Sequence, residues 1–218
     1  MTMGRRLSVK VCGMREPFNI AEVTMLKPEY MGFIFYPQSP RYCGFVEKGR
    51  RVCLPYGIVP VAVTVNMPES ELLRVSEICG ITTFQLHGDE SPEYCRRMKE
   101  RGFTIWKAFR IDSADTLSGI VAYDGYVDMV LLDTSTVGYG GSGRKFDWGL
   151  LEKYRSNSGF MLSGGIGEED AGIIKELNHP QLTGVDLNSR FESRPGIKDV
   201  VKLSRFVDEI RNNNEPKK

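Results

Sequence analysis

Short runs of β-branched and aromatic residues recur along the chain at near-regular intervals: Leu7–Cys12, Met31–Phe35, Pro60–Val65, Thr82–Leu86, Thr104–Phe109, Met129–Leu132, Gly159–Leu162 and Thr183–Leu187. Such runs read as strands. Segments with helical spacing lie between them, among them Glu69–Cys79, Pro92–Arg101, Trp148–Tyr154 and Glu168–Leu177, and a final one covers Ile197–Asn212. Each strand is followed by a crossover long enough for a helix, which predicts parallel pairing rather than hairpins. Met129–Leu132 and Pro60–Val63 are apolar at consecutive positions, as in strands covered on both faces.

Eight such units predict an α/β protein, a single-domain (β/α)8 TIM barrel over residues 1–211, with 212–218 as a polar, frayed tail. An open doubly wound sheet is the other arrangement of the same units. At 218 residues the chain is shorter than a typical barrel of about 250, so the connections must be short.

Composition narrows the function. The 29 basic and 28 acidic residues nearly cancel, so no strong field selects nucleic acid or an anionic membrane as partner, and a small molecule is the expected ligand. The start, Met1-Thr-Met-Gly-Arg-Arg-Leu-Ser-Val-Lys-Val11, is basic but leads straight into a strand, without the apolar stretch of a signal peptide. No apolar run approaches the roughly 18 residues of a membrane span. A cytoplasmic location is the expectation. Five cysteines, Cys12, Cys43, Cys53, Cys79 and Cys95, have no Cys-x-x-Cys spacing, which suits reduced thiols rather than disulfides or a structural metal site. Nothing in the pattern sets an oligomeric state.

The carboxyl ends of the strands carry the chemistry. Cys12-Gly13 closes the first, Pro37-Gln-Ser-Pro-Arg41 follows the second, Asn66 ends the third and Gln85-Leu-His87-Gly88 the fourth. Asp133-Thr134 closes the sixth, Gly164-Gly165 the seventh and Asp186-Leu-Asn188-Ser189 the eighth. In parallel α/β folds this rim is where active sites are built. Glycine-rich loops follow the last strands: Gly138-Tyr-Gly-Gly141-Ser-Gly143, then Ser163-Gly164-Gly165-Ile-Gly167, with Asn188-Ser189 after the eighth. Such loops let backbone N–H groups approach an anion, which predicts a phosphate site at Gly141, Gly143, Gly164, Gly165, Asn188 and Ser189. The plainer reading of any one loop is a tight turn.

At these residues the sequence resembles the phosphoribosylanthranilate isomerases. The blocks that carry the resemblance are Val9-Lys-Val-Cys-Gly13, Gly32-Phe-Ile-Phe-Tyr-Pro-Gln-Ser-Pro-Arg-Tyr42, Val61-Ala-Val-Thr-Val-Asn66 and Phe84-Gln-Leu-His-Gly-Asp-Glu90. They continue in order with Leu131-Leu-Asp-Thr134, Gly140-Gly-Ser-Gly-Arg-Lys-Phe-Asp-Trp148, Leu162-Ser-Gly-Gly165 and Gly184-Val-Asp-Leu-Asn-Ser189. The resemblance implies a cofactor-free Amadori rearrangement of N-(5-phosphoribosyl)anthranilate. It implies Cys12 as general base and Asp133 as general acid, and Arg41 as the group that holds the anthranilate carboxylate. His87 is expected to be oriented by Gln85, and Asp186 to contact a sugar hydroxyl.

Each role has a bland counterpart. A lone strand-end cysteine is commonly a small buried hydrophobe, and the other four are read that way or as helix residues. Asp133 can cap a turn with Thr134, although an apolar strand end would raise its pKa and keep a proton available. Arg41 can form an ion pair, and Asn66 can satisfy loop backbone. Asn188-Ser189-Arg190 stands where the family usually has two serines and a glycine, and Thr64 where it often has a bulkier apolar residue. A barrel isomerase with two catalytic aspartates is disfavoured by Cys12. An indole-glycerol phosphate synthase would need a rim lysine, and Lys10 shares the face of Ser8 and Cys12. A catalytically silent sugar-phosphate-binding barrel is the non-enzymatic alternative.

Overall fold

The computed structural model describes residues 6–134 and 147–212. Eight strands, β1 (Ser8–Val11), β2 (Tyr30–Ile34), β3 (Val59–Thr64), β4 (Thr83–Leu86), β5 (Thr104–Ile111), β6 (Met129–Thr134), β7 (Phe160–Leu162) and β8 (Leu182–Leu187), pair in parallel in sequence order. β8 returns to β1 with Ser8 opposite Gly184 and Lys10 opposite Asp186, so the sheet closes into the expected barrel and the open-sheet alternative falls away. The outer layer holds α1 (Pro17–Thr24), α2 (Glu69–Cys79), α3 (Pro92–Glu100), α4 (Ala114–Gly119), α5 (Ala171–Glu176) and α6 (Val200–Arg211). A hairpin of β9 (Glu192–Arg194) and β10 (Ile197–Lys198) precedes α6.

Local chemistry explains several boundaries. Pro17 and Pro92 open α1 and α3 at a position where the missing N–H costs nothing, and the Ser91 hydroxyl caps α3 by accepting from Tyr94 N–H. Gly80 ends α2 in the left-handed conformation.

Four expectations need correction. The β2–β3 crossover carries no helix: Pro37, Pro40 and Pro55 break it up. Buried Phe45 does the covering instead, with its ring 5.5 Å from Phe33 and the Arg50 guanidinium 4.6 Å from its centroid. Trp148–Lys153 is a 3-10 helix, and Glu168–Leu177 divides into a 3-10 turn at Glu168–Asp170 followed by α5. Ile197–Lys198 is strand, and the last helix starts only at Val200, where the Asp199 side chain accepts from Lys202 N–H.

Alternation along the strands sorts the barrel interior into layers. Val61, Trp106, Ala108, Leu131 and Met161 form an apolar plug, with Tyr30 packed edge-on against Trp106 at 4.7 Å. Lys10, Gln85 and Asp186, all buried, lie toward the carboxyl end of the strands. The larger apolar core fills the space between barrel and helices, where each fully buried large side chain contributes about 1.5–3 kcal/mol. Among the described residues no helix is long and apolar enough to cross a membrane.

Thr64 faces that outer core with its hydroxyl buried and without a hydrogen-bond partner among the described residues. Thr64→Val keeps the branched shape and removes the unsatisfied group, so it is expected to stabilise the fold by about 1–2 kcal/mol. The check is a higher urea midpoint at unchanged slope; a lower midpoint would show that the hydroxyl is satisfied.

Candidate active site

The strands' carboxyl ends surround an open cavity of about 900 Å³. The end of β1 supplies Cys12 to its wall, and β4 with the residue after it supplies Gln85 and His87. β5 supplies Arg110, β6 Asp133 and Thr134, and β8 Asp186, followed by Asn188 and Ser189. Arg41 reaches in from the β2–β3 segment, and Ser163, Gly164 and Gly165 follow β7. The expected residues within the described chain thus meet in one place, whereas Gly141 and Gly143 lie outside the described residues.

Cys12 is buried, and its backbone N–H donates to the Leu187 carbonyl at 2.9 Å. Burial pushes the thiol above its ordinary pKa; Lys10 pulls it down, Asp186 pushes it up, and Lys198 pulls it down again, with a net rise. All five cysteines are free; Cys43, Cys79 and Cys95 are buried in the outer core and Cys53 is exposed.

Asp133 lies inside β6 rather than beyond it, because the strand continues to Thr134. Its carboxylate meets polar partners instead of an apolar wall: Oδ1 accepts from Thr134 N–H at 2.9 Å and Oδ2 lies 3.1 Å from His87 Nε2. Gln85 Nε2 lies 3.2 Å from His87 Nδ1. With the amide nitrogen donating to Nδ1, Nε2 donates to Asp133; a half-turn of the Gln85 amide sets its Oε1, buried without a partner among the described residues, against an Nδ1–H instead and leaves Nε2 to accept from a protonated Asp133. The loop behind His87 is fixed from below. Lys107 Nζ donates to the carbonyls of Leu86 at 3.3 Å and Gly88 at 2.8 Å, while Glu90 accepts from the N–H groups of Asn66 and Gly88. Asn66, whose side chain accepts from Asp89 N–H, serves this loop.

Arg41 is already engaged. Nε and Nη2 both contact Glu192, the shortest at 2.7 Å, with the two side chains 11% and 4% exposed. Glu192 also accepts from Lys198 Nζ at 2.7 Å, and Lys198 donates to Asn188 Oδ1 at 2.7 Å. Burial works to raise the Glu192 carboxyl, but Arg41 and Lys198 outweigh it and hold it below the usual range. Two cations share one anion, which leaves this side of the mouth net positive.

After β7 the rim presents backbone. Gly164 and Gly165 are both left-handed, with φ of 81° and 70°, and their N–H groups have no acceptor among the described residues. A side chain at Gly164 would fall 2.3 Å from Asp133 Oδ1 and 2.6 Å from Thr134 N, so only glycine fits. Arg190 turns outward to Glu169 at 2.8 Å in an exposed ion pair.

Sequence reasoning missed Arg110, Glu192 and Lys198. Arg110 was open to discovery because it shares the parity of Trp106 and Ala108; the other two sit on a hairpin beyond the last barrel strand.

Comparison with known proteins bears on the family and the fold. The family model described as N-(5'phosphoribosyl)anthranilate (PRA) isomerase matches residues 9–209. An N-(5'-phosphoribosyl)anthranilate isomerase of Parabacteroides distasonis is 41% identical over 204 residues, covering 93% of this chain and 92% of the relative. One from Rubrobacter xylanophilus is 39% identical over 202 residues, covering 91% and 96%. The crystal structure of phosphoribosyl anthranilate isomerase from Thermotoga maritima superposes with a TM-score of 0.82 at 31% identity, covering 94% of this chain and 98% of that one. A further crystal structure, of such an enzyme in complex with reduced 1-(o-carboxyphenylamino)-1-deoxyribulose 5-phosphate, has a TM-score of 0.79 at 29% identity, covering 94% and 98%. The chain therefore belongs to the N-(5'-phosphoribosyl)anthranilate isomerase family, the isomerases of tryptophan biosynthesis.

Proposed function

We propose that this chain rearranges N-(5-phosphoribosyl)anthranilate to 1-(2-carboxyphenylamino)-1-deoxyribulose 5-phosphate with Asp133 as general acid and Cys12 as general base. The observation that carries the reading is that Cys12 at the end of β1 and Asp133 on β6 line the same cavity, whose rim also carries a cationic cluster and a pair of left-handed glycines.

The chemistry divides between the two groups. Asp133 gives its proton to the furanose ring oxygen, the bond from that oxygen to carbon 1 breaks, and a protonated Schiff base forms. The Cys12 thiolate then takes the proton from carbon 2, and the electron pair moves toward nitrogen to give an enolamine. Carbon 1 gains a proton and the carbon 2 hydroxyl releases one, which yields the ketone and returns both catalysts to their starting states. Gly164, Gly165 and Ser189 offer backbone donors to the phosphate, and Asn188 shares that rim. Asp186, fixed by Lys10, is assigned to a sugar hydroxyl, and Gln85 orients His87 against Asp133. Neither step calls for a cofactor.

Substrate and product differ in emission, so freshly prepared phosphoribosylanthranilate should lose fluorescence when the chain is added. Unchanged fluorescence with folded protein would leave only a binding role.

Arg41 is the expected ligand of the anthranilate carboxylate. Glu192 occupies one edge of its guanidinium, and Nη1 remains without a protein partner among the described residues. Arg41→Ala is expected to raise KM by about 10-fold or more with a smaller effect on kcat, since a charge-assisted contact contributes about 1.5–3 kcal/mol and this carboxylate does not react. Steady-state kinetics decides it: an unchanged KM at full turnover would remove Arg41 from the site.

A further inference from the structure

Beyond holding Asp186, Lys10 has no part in the two proton transfers. Alternation along β1 turns Lys10 and Cys12 to the same interior face, with Lys10 one layer deeper. It is wholly buried, and its Nζ lies 2.9 Å from Asp186 Oδ1 on the paired strand β8. Gly32 on β2 locates the thiol relative to it. A methyl group at Gly32 would sit 2.8 Å from Cys12 Sγ and 3.2 Å from Lys10 Cε, so sulfur and lysine stem border the same small space.

Shape alone does not account for this lysine. The layer around it borders the plug of Val61, Ala108, Leu131 and Met161, where an apolar side chain of similar volume would avoid the desolvation cost of an ion pair. From its own strand Lys10 faces the thiol; Asp186 faces it from β8 and Lys198 from β10. Arg41 lies against Gly13, the next residue, while Asp133 from β6 and His87 after β4 act on Asp186. Of the two cations that bear on Cys12, Lys198 is shared with Glu192 and Asn188, and Lys10 exerts the stronger pull.

We propose that Lys10 is a positioning residue of the reaction: its buried ammonium, anchored by Asp186, stabilises the Cys12 thiolate that removes the proton from carbon 2. The inference rests on the reading of Cys12 as base. It also gives the Lys10–Asp186 pair a catalytic reason, since burial of the thiol disfavours its charge and a nearby fixed cation offsets that penalty.

The test reads the thiol itself. The rate of Cys12 alkylation by iodoacetamide, resolved from the other cysteines by peptide mass spectrometry, is followed against pH in the full chain. Lys10→Met should move the midpoint of Cys12 alkylation upward by about one pH unit or more, a tenfold change in ionisation, with circular dichroism unchanged. The acid limb of kcat/KM should move with it. Asp186→Asn should move the midpoint down, because it removes the anion that competes with the thiolate for Lys10. An unmoved midpoint in folded Lys10→Met, whatever its activity, would reduce Lys10 to a structural ion pair. If Lys10→Met does not fold, Asp186→Asn decides: a lower midpoint supports the proposal, and an unchanged or higher one overturns it. Failure of the base assignment is separately visible as normal turnover by Cys12→Ser.

Discussion

Cys12→Ser is expected to bind substrate and product nearly as well as the unsubstituted protein and to lose turnover by about 100-fold or more, the usual scale for a general base. The substitution changes one atom in a buried position, so the wall of the cavity is retained. What changes is acidity. An ordinary thiol ionises near pH ~8.5, whereas a serine hydroxyl does not ionise in the accessible range. Burial moves the Cys12 thiol upward despite Lys10 and Lys198, so the thiolate is the minor form at neutrality. The active form is the one present above the thiol pKa, so kcat/KM should climb with pH on the alkaline side of neutrality. Iodoacetamide should inactivate faster over the same range, and saturating product should slow it. Cys43→Ser, Cys53→Ser, Cys79→Ser and Cys95→Ser should retain turnover in whatever protein folds, because these residues do not line the cavity. Near-normal turnover by folded Cys12→Ser would sink the thiol-base mechanism while leaving family membership intact.

The barrel was legible because its signal is local and repeated. β-Branched runs mark each strand, and their parity tells which residues face inward, so Cys12, Gln85, His87, Asp133, Asp186 and Asn188 follow from position alone. The segments that were misread are those where tertiary contacts overrule local pattern. Ile197, Val200 and Val201 have helical spacing, yet Gly196, with φ of 84°, turns the chain back and Ile197 pairs with Arg194. The β2–β3 segment has room for a helix but spends its length on prolines and on seating Phe45. Glu192 and Lys198 gave no signal, since their meaning comes from Arg41, 151 positions from Glu192 in sequence. The same limit applies to Arg190. Nothing local in the sequence tells whether its side chain points toward the rim or away from it, and the partner that holds it outward, Glu169, lies 21 positions away.

Asp133→Asn should abolish ring opening while the folded shape and product binding are kept. The geometry explains why the shape survives. The oxygen of the substituted amide can still accept from the Thr134 N–H that Asp133 holds at 2.9 Å, but the amide nitrogen would now face His87 Nε2 across the 3.1 Å contact. His87 must then carry its proton on Nδ1, and Gln85 must turn its amide to receive it. Gln85 is able to do so because its Oε1 is buried without a partner among the described residues. A half-turn of that amide satisfies the new chain of donors at little cost. Chemistry does not survive in the same way, because an amide has no acidic proton to give the ring oxygen at neutral pH, and losses of about 100- to 10,000-fold are the usual scale for a missing general acid. Turnover by fluorescence and product affinity by titration calorimetry separate the two effects. Product affinity within a few-fold of the original together with lost turnover fits Asp133 as the acid. Turnover near the original would move the acid role to another group on the rim.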